Sequence, residues 1–264
     1  MNSYQLNNLE SKIANLKSSN MLLAIKAEFE AEGTRIDELS VLSGLCCKWQ
    51  IPLTLKIGGP LAKRDIYEAF QFGANNILVP MVESSFTAEL CSEYFNSIVE
   101  AFETFNEKPK LFINIESIKT IENIDSILET ISKNQLPISS LVIGRSDLAS
   151  SLGNKDVNSK EIFDIVENVI YKSNKYNLNS TLGGNITPRS FSFLEKIKNK
   201  LTSFESRKCT FLIDKKFDQK EYKKLITNGL DFELAWLEFK QNMYSQRSNE
   251  ENERISLLKK RILN

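Results

Sequence analysis

The strongest constraint on the fold is an alternation of strand-like and helix-like segments running from residue 22 to residue 213. Strand-like stretches are Leu22–Glu30, Pro52–Ile57, Asn76–Met81, 111–116, 139–144 and Asn179–Gly184, with another inside 202–213. The intervening stretches 36–48, about 61–73, about 84–106, 118–133, 159–176 and 188–200 carry apolar residues at helical spacing. Strands that alternate with helices build a parallel sheet covered by helices, and this many units in one domain favours a closed (β/α)8 TIM barrel. Seven strands are marked and the eighth is only loosely indicated. A leading helix over 5–17, with Leu6, Leu9, Ile13 and Leu16 on one stripe, precedes the barrel, which is expected to span residues 1–216.

The tail, 217–264, has a different character. Phe232, Leu234, Ala235, Trp236, Leu237 and Phe239 make a strongly apolar helix. A polar hinge, SQRSNEEN (245–252), separates it from a charged terminal helix with Ile255, Leu258 and Ile262 on one side. A short helix cannot bury such a stripe alone, so packing on the barrel or on a second copy in a homo-oligomer is expected.

Two of the strand-like stretches end in carboxylates. LFINIES (111–117) carries Glu116, and LVIGRSDLASSLG (141–153) carries Asp147, 31 positions further on. That separation is about one strand–helix–strand unit, which would bring both acids to the same end of neighbouring parallel strands. The chain has no histidine among its 264 residues, which excludes Ser-His and Cys-His catalytic pairs and histidine-bound zinc. A metal held here would be held mainly by oxygen, which points to Mg2+ or Mn2+. Lys+Arg and Asp+Glu are equal at 34 each, so no charge bias favours nucleic acid or acidic membrane. Cys46, Cys47, Cys91 and Cys209 lack zinc-ribbon or disulfide-framework spacing, and reduced thiols are expected. The opening MNSYQLNNLESK has no signal-peptide pattern and no apolar run is long enough for a bilayer; the expectation is a cytoplasmic protein with no membrane partner.

Strand parity locates more of the site. Ile25 and Ala27 alternate with Lys26 and Glu28; Leu55 and Ile57 flank Lys56; Ile113 and Ile115 alternate with Asn114 and Glu116. Successive side chains point to opposite faces of a sheet. With the apolar parity packed on helices, Lys26, Glu28, Lys56, Asn114 and Glu116 point into the barrel, where charges must be paired or metal-bound. A sheet with one face in water, or a purely structural ion-pair network at Lys26 and Glu28, are the alternatives. Glu205 and Arg207 end a late strand and are further candidates to line the site.

These residues resemble the HpcH/HpaI aldolase and citrate lyase beta-chain family from about Lys26 to Glu205. The motifs are LKIGG (55–59), FGANNILVPMVES (72–84), INIES (113–117) and IGRSDLASSLG (143–153), with KAEFEAEG (26–33) and FESRK (204–208) resembling one branch. The resemblance implies a TIM barrel that binds Mg2+ or Mn2+ through Glu116 and Asp147. It places Lys56 where an arginine usually meets the 2-oxo acid and the developing enolate. It also implies that the amides of Ser146 and Asp147 hold the substrate carboxylate, and that Glu32 lies near an acid that orders metal-bound water. The implied activity is a carbon–carbon lyase (aldolase) acting on a small 2-oxo acid or acyl substrate.

Two departures bear on the chemistry. The histidine that manages protons in the aldolase branch is missing, with Gly33 about where it is expected, so a carboxylate such as Glu32 or metal-bound water would take that task. Arg145 stands where proline is frequent, and could meet a phosphate, a CoA group or a second carboxylate, or form a surface ion pair. A CoA-thioester lyase or hydrolase, and a non-catalytic barrel used for binding or assembly, are the competing expectations.

Overall fold

The computed structural model describes residues 3–102, 108–214, 216 and 218–263. Eight strands close into one barrel in sequential order: β1 (Leu22–Glu28), β2 (Leu53–Lys56), β3 (Asn76–Val79), β4 (Lys110–Ile115), β5 (Ile138–Gly144), β6 (Asn179–Gly183), β7 (Ser203–Glu205) and β8 (Cys209–Leu212). Both strand parities are buried, as closure requires. Ile25, Ala27, Leu55, Ile57, Ile113 and Ile115 are fully enclosed between strands and helices, while Lys26, Lys56, Asn114 and Glu116 are buried inside the barrel. The one-sided sheet is therefore not the arrangement.

The closing strand departs from a regular (β/α)8 pattern. β1 to β7 pair in parallel, but β8 runs antiparallel to both β7 and β1. Only Ser206, Arg207 and Lys208 separate β7 from β8. A link that short can join antiparallel strands only, because a parallel crossover needs a dozen residues or more. The segment 202–213 thus holds two strands rather than one.

The helices are α1 (Ser3–Lys17), α2 (Ile36–Trp49), α3 (Lys63–Gln71), α4 (Ser85–Ala101), α5 (Ile118–Glu122), α6 (Ile124–Lys133), α7 (Arg145–Ser151), α8 (Lys160–Lys175), α9 (Phe191–Ile197) and α10 (Gln219–Leu263). The expected helix over 118–133 is two pieces that meet at Asn123, and α7 is a short helix that starts where the strand over 139–144 ends. The last part of the expected 84–106 helix, 103–106, lies outside the described residues. In α1, Leu9, Ile13 and Leu16 are fully buried, and the helix packs against α10.

The tail corrects a second expectation. Residues 245–252 form no hinge: α10 is one continuous helix of 45 residues, roughly 68 Å at 1.5 Å per residue. SQRSNEEN contains no glycine or proline, and polar residues alone do not break a helix. Tyr222, Ile226, Phe232, Trp236 and Phe239 pack α10 on the barrel core, so the apolar first half does pack there. The side chain of Ile262 lies outside the described residues. No helix among the described residues is long and apolar enough to cross a membrane.

Small polar side chains occupy the barrel interior toward the N-terminal ends of the strands. Asn76 donates to Thr54 at 2.9 Å and Thr181 pairs with Ser203 at 2.7 Å. The functional candidates gather at the other end.

Candidate active site

A cavity of about 460 Å³ opens at the C-terminal ends of the parallel strands. This is the end at which enzymes of this architecture carry their chemistry, because the loops that follow the strands converge there. Glu116 follows β4 directly. Ile113 and Ile115 point outward into the helical layer, which turns Asn114 and Glu116 inward, and Ser117 ends the run by accepting from the Thr120 amide to cap α5. Lys56 comes from the last position of β2 on the same side.

Glu116 is enclosed by donors. Lys56 Nζ lies 3.3 Å from its Oε2, the Asn114 amide donates to the same oxygen, and the Met81 backbone N–H donates to Oε1 at 3.2 Å. Met81 holds a left-handed backbone (φ 53°), which turns its amide back toward the barrel mouth. Burial pushes the Glu116 carboxyl above its ordinary pKa; Lys56 opposes this and the charge of Asp147 adds to it. Burial would lower the Lys56 ammonium, but Glu116, Glu28 and Glu30 outweigh it and its pKa lies above the ordinary value.

Asp147 sits in the first turn of α7, exposed at the cavity wall. Among the described residues its carboxylate has no hydrogen-bond or ion-pair partner, and Gly144, not Asp147, occupies the N-cap position. Gly184 makes this placement possible. Its φ is +78°, and a Cβ there would stand 2.4 Å from the amide nitrogens of Arg145 and Ser146. Only glycine lets the turn after β6 pack this closely on the start of α7. Gly144 and Gly183 likewise leave room for Glu116 and Glu205, whose side-chain atoms would lie 3.2 Å and 3.0 Å from an added Cβ.

Asn114, Ser146, Glu205 and Arg207 also line the cavity, so seven of the nine expected site residues meet in one space. Two do not. Arg145 is fully buried behind the wall, where Nε and Nη2 donate to the carbonyls of Gly183 and Gly184 at 3.1 and 2.8 Å and Nη1 to Asn158 at 2.9 Å. Its guanidinium also stacks 4.7 Å from the Phe193 ring centroid, and burial lowers its pKa to about 10, with Tyr222 opposing the shift. It ties β6 to α7 and presents no donor to a ligand; it is not a surface ion pair either. Glu32 is engaged by Lys208, which also lies over Trp236 of α10, and Glu32 does not line the cavity. This ion pair pins the loop after β1 to the β7–β8 turn.

Lys26 and Glu28 also line the cavity, and the ion-pair network that the parity of β1 allowed is present: Lys26 stands 3.9 Å from Glu28 and pairs with Glu205 as well. Leu230 and Glu233 enter from α10. Nothing local marks them, because they reach the mouth through the course of a helix more than 80 positions beyond Asp147.

Five carboxylates (Glu28, Glu116, Asp147, Glu205, Glu233) and three cations (Lys26, Lys56, Arg207) line the cavity, an excess of two negative charges. Among the described residues no cluster of three or more carboxylate, cysteine or histidine ligands occurs, so protein ligands alone would not enclose a metal. The donors are nevertheless of the kind a hard divalent cation takes: an unpartnered Asp147, a buried Glu116, and the buried Asn114 Oδ1, which has no hydrogen-bond partner. Magnesium sites commonly have one or two carboxylates and leave the remaining positions to water and substrate.

The family model for HpcH/HpaI aldolase/citrate lyase matches residues 56–182, the stretch from Lys56 through β6 that supplies Glu116 and Asp147. The match covers just under half of the chain. Solved structures agree in fold. Citrate synthase SbnG is similar at TM-score 0.60 and 18% identity, over 74% of this chain and 81% of that one. The HpcH/HpaI aldolase from Desulfitobacterium hafniense is similar at TM-score 0.58 and 14% identity, over 75% and 80%. An HpcH/HpaI aldolase/citrate lyase family protein from Burkholderia cenocepacia matches at TM-score 0.58 and 13% identity, over 72% and 82%. A comparison with curated protein sequences found no match.

Proposed function

We propose that this protein is a divalent-metal-dependent carbon–carbon lyase that acts on a 2-oxo acid through a pyruvate-type enolate. The observation that carries the reading is the convergence of Glu116, Asp147 and Lys56 on one cavity at the catalytic end of the barrel. Glu116 and Asp147 would hold Mg2+ or Mn2+, which when bound withdraws electrons from a neighbouring carbonyl. Lys56 supplies fixed positive charge beside the same carboxylate, where the oxygen of the 2-oxo group gains negative charge in the enolate. As a point charge it lacks the planar two-point grip of arginine, so it stabilises the charge without fixing the orientation of the substrate. Ser146 and the first amides of α7 hold the substrate carboxylate, and Arg207 offers a second anion contact across the cavity.

In the cleavage direction a 4-hydroxyl loses its proton, the C3–C4 bond breaks, and C3 is then protonated. With no histidine in the chain and Glu32 tied to Lys208, that proton falls to a carboxylate on the cavity wall. Glu233 is suited to it: burial raises its pKa, with Arg207 opposing the shift. The competing CoA-thioester reading drew on the missing histidine and on Arg145, whose guanidinium is spent on backbone carbonyls and Asn158. The neighbours' names, aldolase and citrate synthase, support a carbon–carbon bond reaction without choosing between substrates.

Proton exchange at C3 of pyruvate in deuterated water, followed by NMR with Mg2+ or Mn2+ present, tests the reading. Exchange is expected with the unaltered chain and is expected to fall at least ~100-fold in Glu116→Gln, given what one electrostatic contributor is worth. Equal exchange in the two proteins would overturn it.

A further inference from the structure

We propose that two copies of this chain pair through α10 as an antiparallel, two-helix coiled coil, an assembly independent of the reaction proposed above. Beyond Arg247, which pairs with Asp37, residues 248 to 256 are all exposed, so the last turns of α10 stand clear of their own barrel. Helices of this length are marginal in water without a packing partner.

The apolar residues identify what that partner is. From Leu230 to Leu258, positions at alternating steps of four and three read Leu, Leu, Leu, Gln, Tyr, Ser, Glu, Ile, Leu. This is the 3.5-residue repeat of a coiled-coil seam, a surface whose complement is another helix. Leu234, Leu237, Ile255 and Leu258 are 57%, 50%, 47% and 46% exposed, large values for apolar side chains at regular spacing on one helix. The face toward the barrel, with Phe232, Trp236 and Phe239, is already filled, and within the seam Tyr244 also meets its own barrel, where it donates to Glu38.

The seam is apolar at both ends and polar in the middle, so it complements itself when a second copy runs in the opposite direction. Leu234 then faces Leu258 of the partner subunit, and Leu237 faces Ile255 of the partner subunit. Each layer occurs twice by two-fold symmetry. Charge selects this direction over the parallel one. Parallel pairing sets Glu233 against Glu238 of the partner subunit and Arg254 against Lys259 of the partner subunit, both repulsive. Antiparallel pairing brings Asp231, 3.9 Å from Lys12 in its own chain, beside Lys259 of the partner subunit. This direction also sets Lys240 against Arg254 of the partner subunit and Arg247 against its own symmetry mate, but Lys240 and Arg247 are already held in their own chain by Glu38 at 3.4 Å and Asp37 at 3.3 Å. Leu230 begins the seam and also lines the cavity. The basic end of one α10 therefore passes the carboxylate-rich mouth of the other barrel.

Sedimentation of the full chain at micromolar concentration tests the pairing. The expected mass is twice the 30.1 kDa of one chain. Leu258→Asp, placed beyond the barrel, is expected to give the single-chain mass with an unchanged barrel melting transition. A single-chain mass for the unaltered protein, or an undiminished dimer in Leu258→Asp, overturns the proposal. Direction is read by oxidative cross-linking in a Cys47→Ser background, which removes the exposed thiol. Chains with Leu234→Cys and chains with Leu258→Cys are expected to cross-link when mixed and not when alone. Cross-linking of each variant with itself, or none in the mixture, overturns the antiparallel arrangement.

Discussion

Arg145 and Asp147 are two positions apart on α7 and serve opposite purposes. Asp147 stands at the cavity wall with no partner among the described residues, whereas Arg145 is enclosed and its donors are used on Gly183, Gly184 and Asn158. The difference follows from helix geometry, since residues two apart do not share a face. Arg145→Leu would leave the buried Gly183 carbonyl and the half-buried Gly184 carbonyl without their donor, and a loss of about 2–4 kcal/mol in unfolding free energy is expected. Urea unfolding measures that loss. The KM for a 2-oxo acid is expected to stay within about threefold in the folded fraction, which a substrate-binding arginine would not allow.

Among the elements, the turn after β6 and the β7–β8 hairpin do most to shape the site. Gly184→Ala forces a Cβ to within 2.4 Å of two backbone nitrogens at a left-handed φ, so α7 must move. A lower melting temperature, by several degrees or more, is expected together with weakened Mn2+ binding, because Asp147 moves with its helix. Calorimetry and a metal titration on one sample check both effects. These elements also mark where sequence reading stops. The alternation of periods makes seven strands and most helices legible, and the parity of β1, β2 and β4 alone puts Lys26, Lys56, Asn114 and Glu116 inside the barrel. The reversal of β8 was not legible, because direction depends on a three-residue turn within a run that reads as one apolar strand. Continuity of α10 was obscured for a different reason: polar residues at 245–252 look like a hinge, yet each is tolerated in a helix.

For the whole molecule, the determining feature is how distant segments combine at one mouth. Glu116 and Asp147 are recognisable from their motifs, and Glu205 and Arg207 from their place at a strand end. Leu230 and Glu233 are not, because they reach the cavity through the path of α10 across the reversed closing strand. Arg145 and Glu32 show the converse. Both lie in motifs that resemble the family pattern, and both are spent on holding the scaffold, since type and position in a motif do not reveal which neighbour a side chain meets. The assembled mouth carries two more carboxylates than cations, an arrangement that a bound divalent cation would balance, with Lys56 3.3 Å from the Glu116 carboxylate.

Titration with Mn2+, with free ion counted by electron paramagnetic resonance, tests that account most directly. One site per chain is expected in the unaltered protein. Glu116→Gln and Asp147→Asn are each expected to weaken it by at least ~10-fold, the scale of losing a charged ligand to a hard cation. Mn2+ binding of unchanged strength in both variants would contradict the assignment of the site.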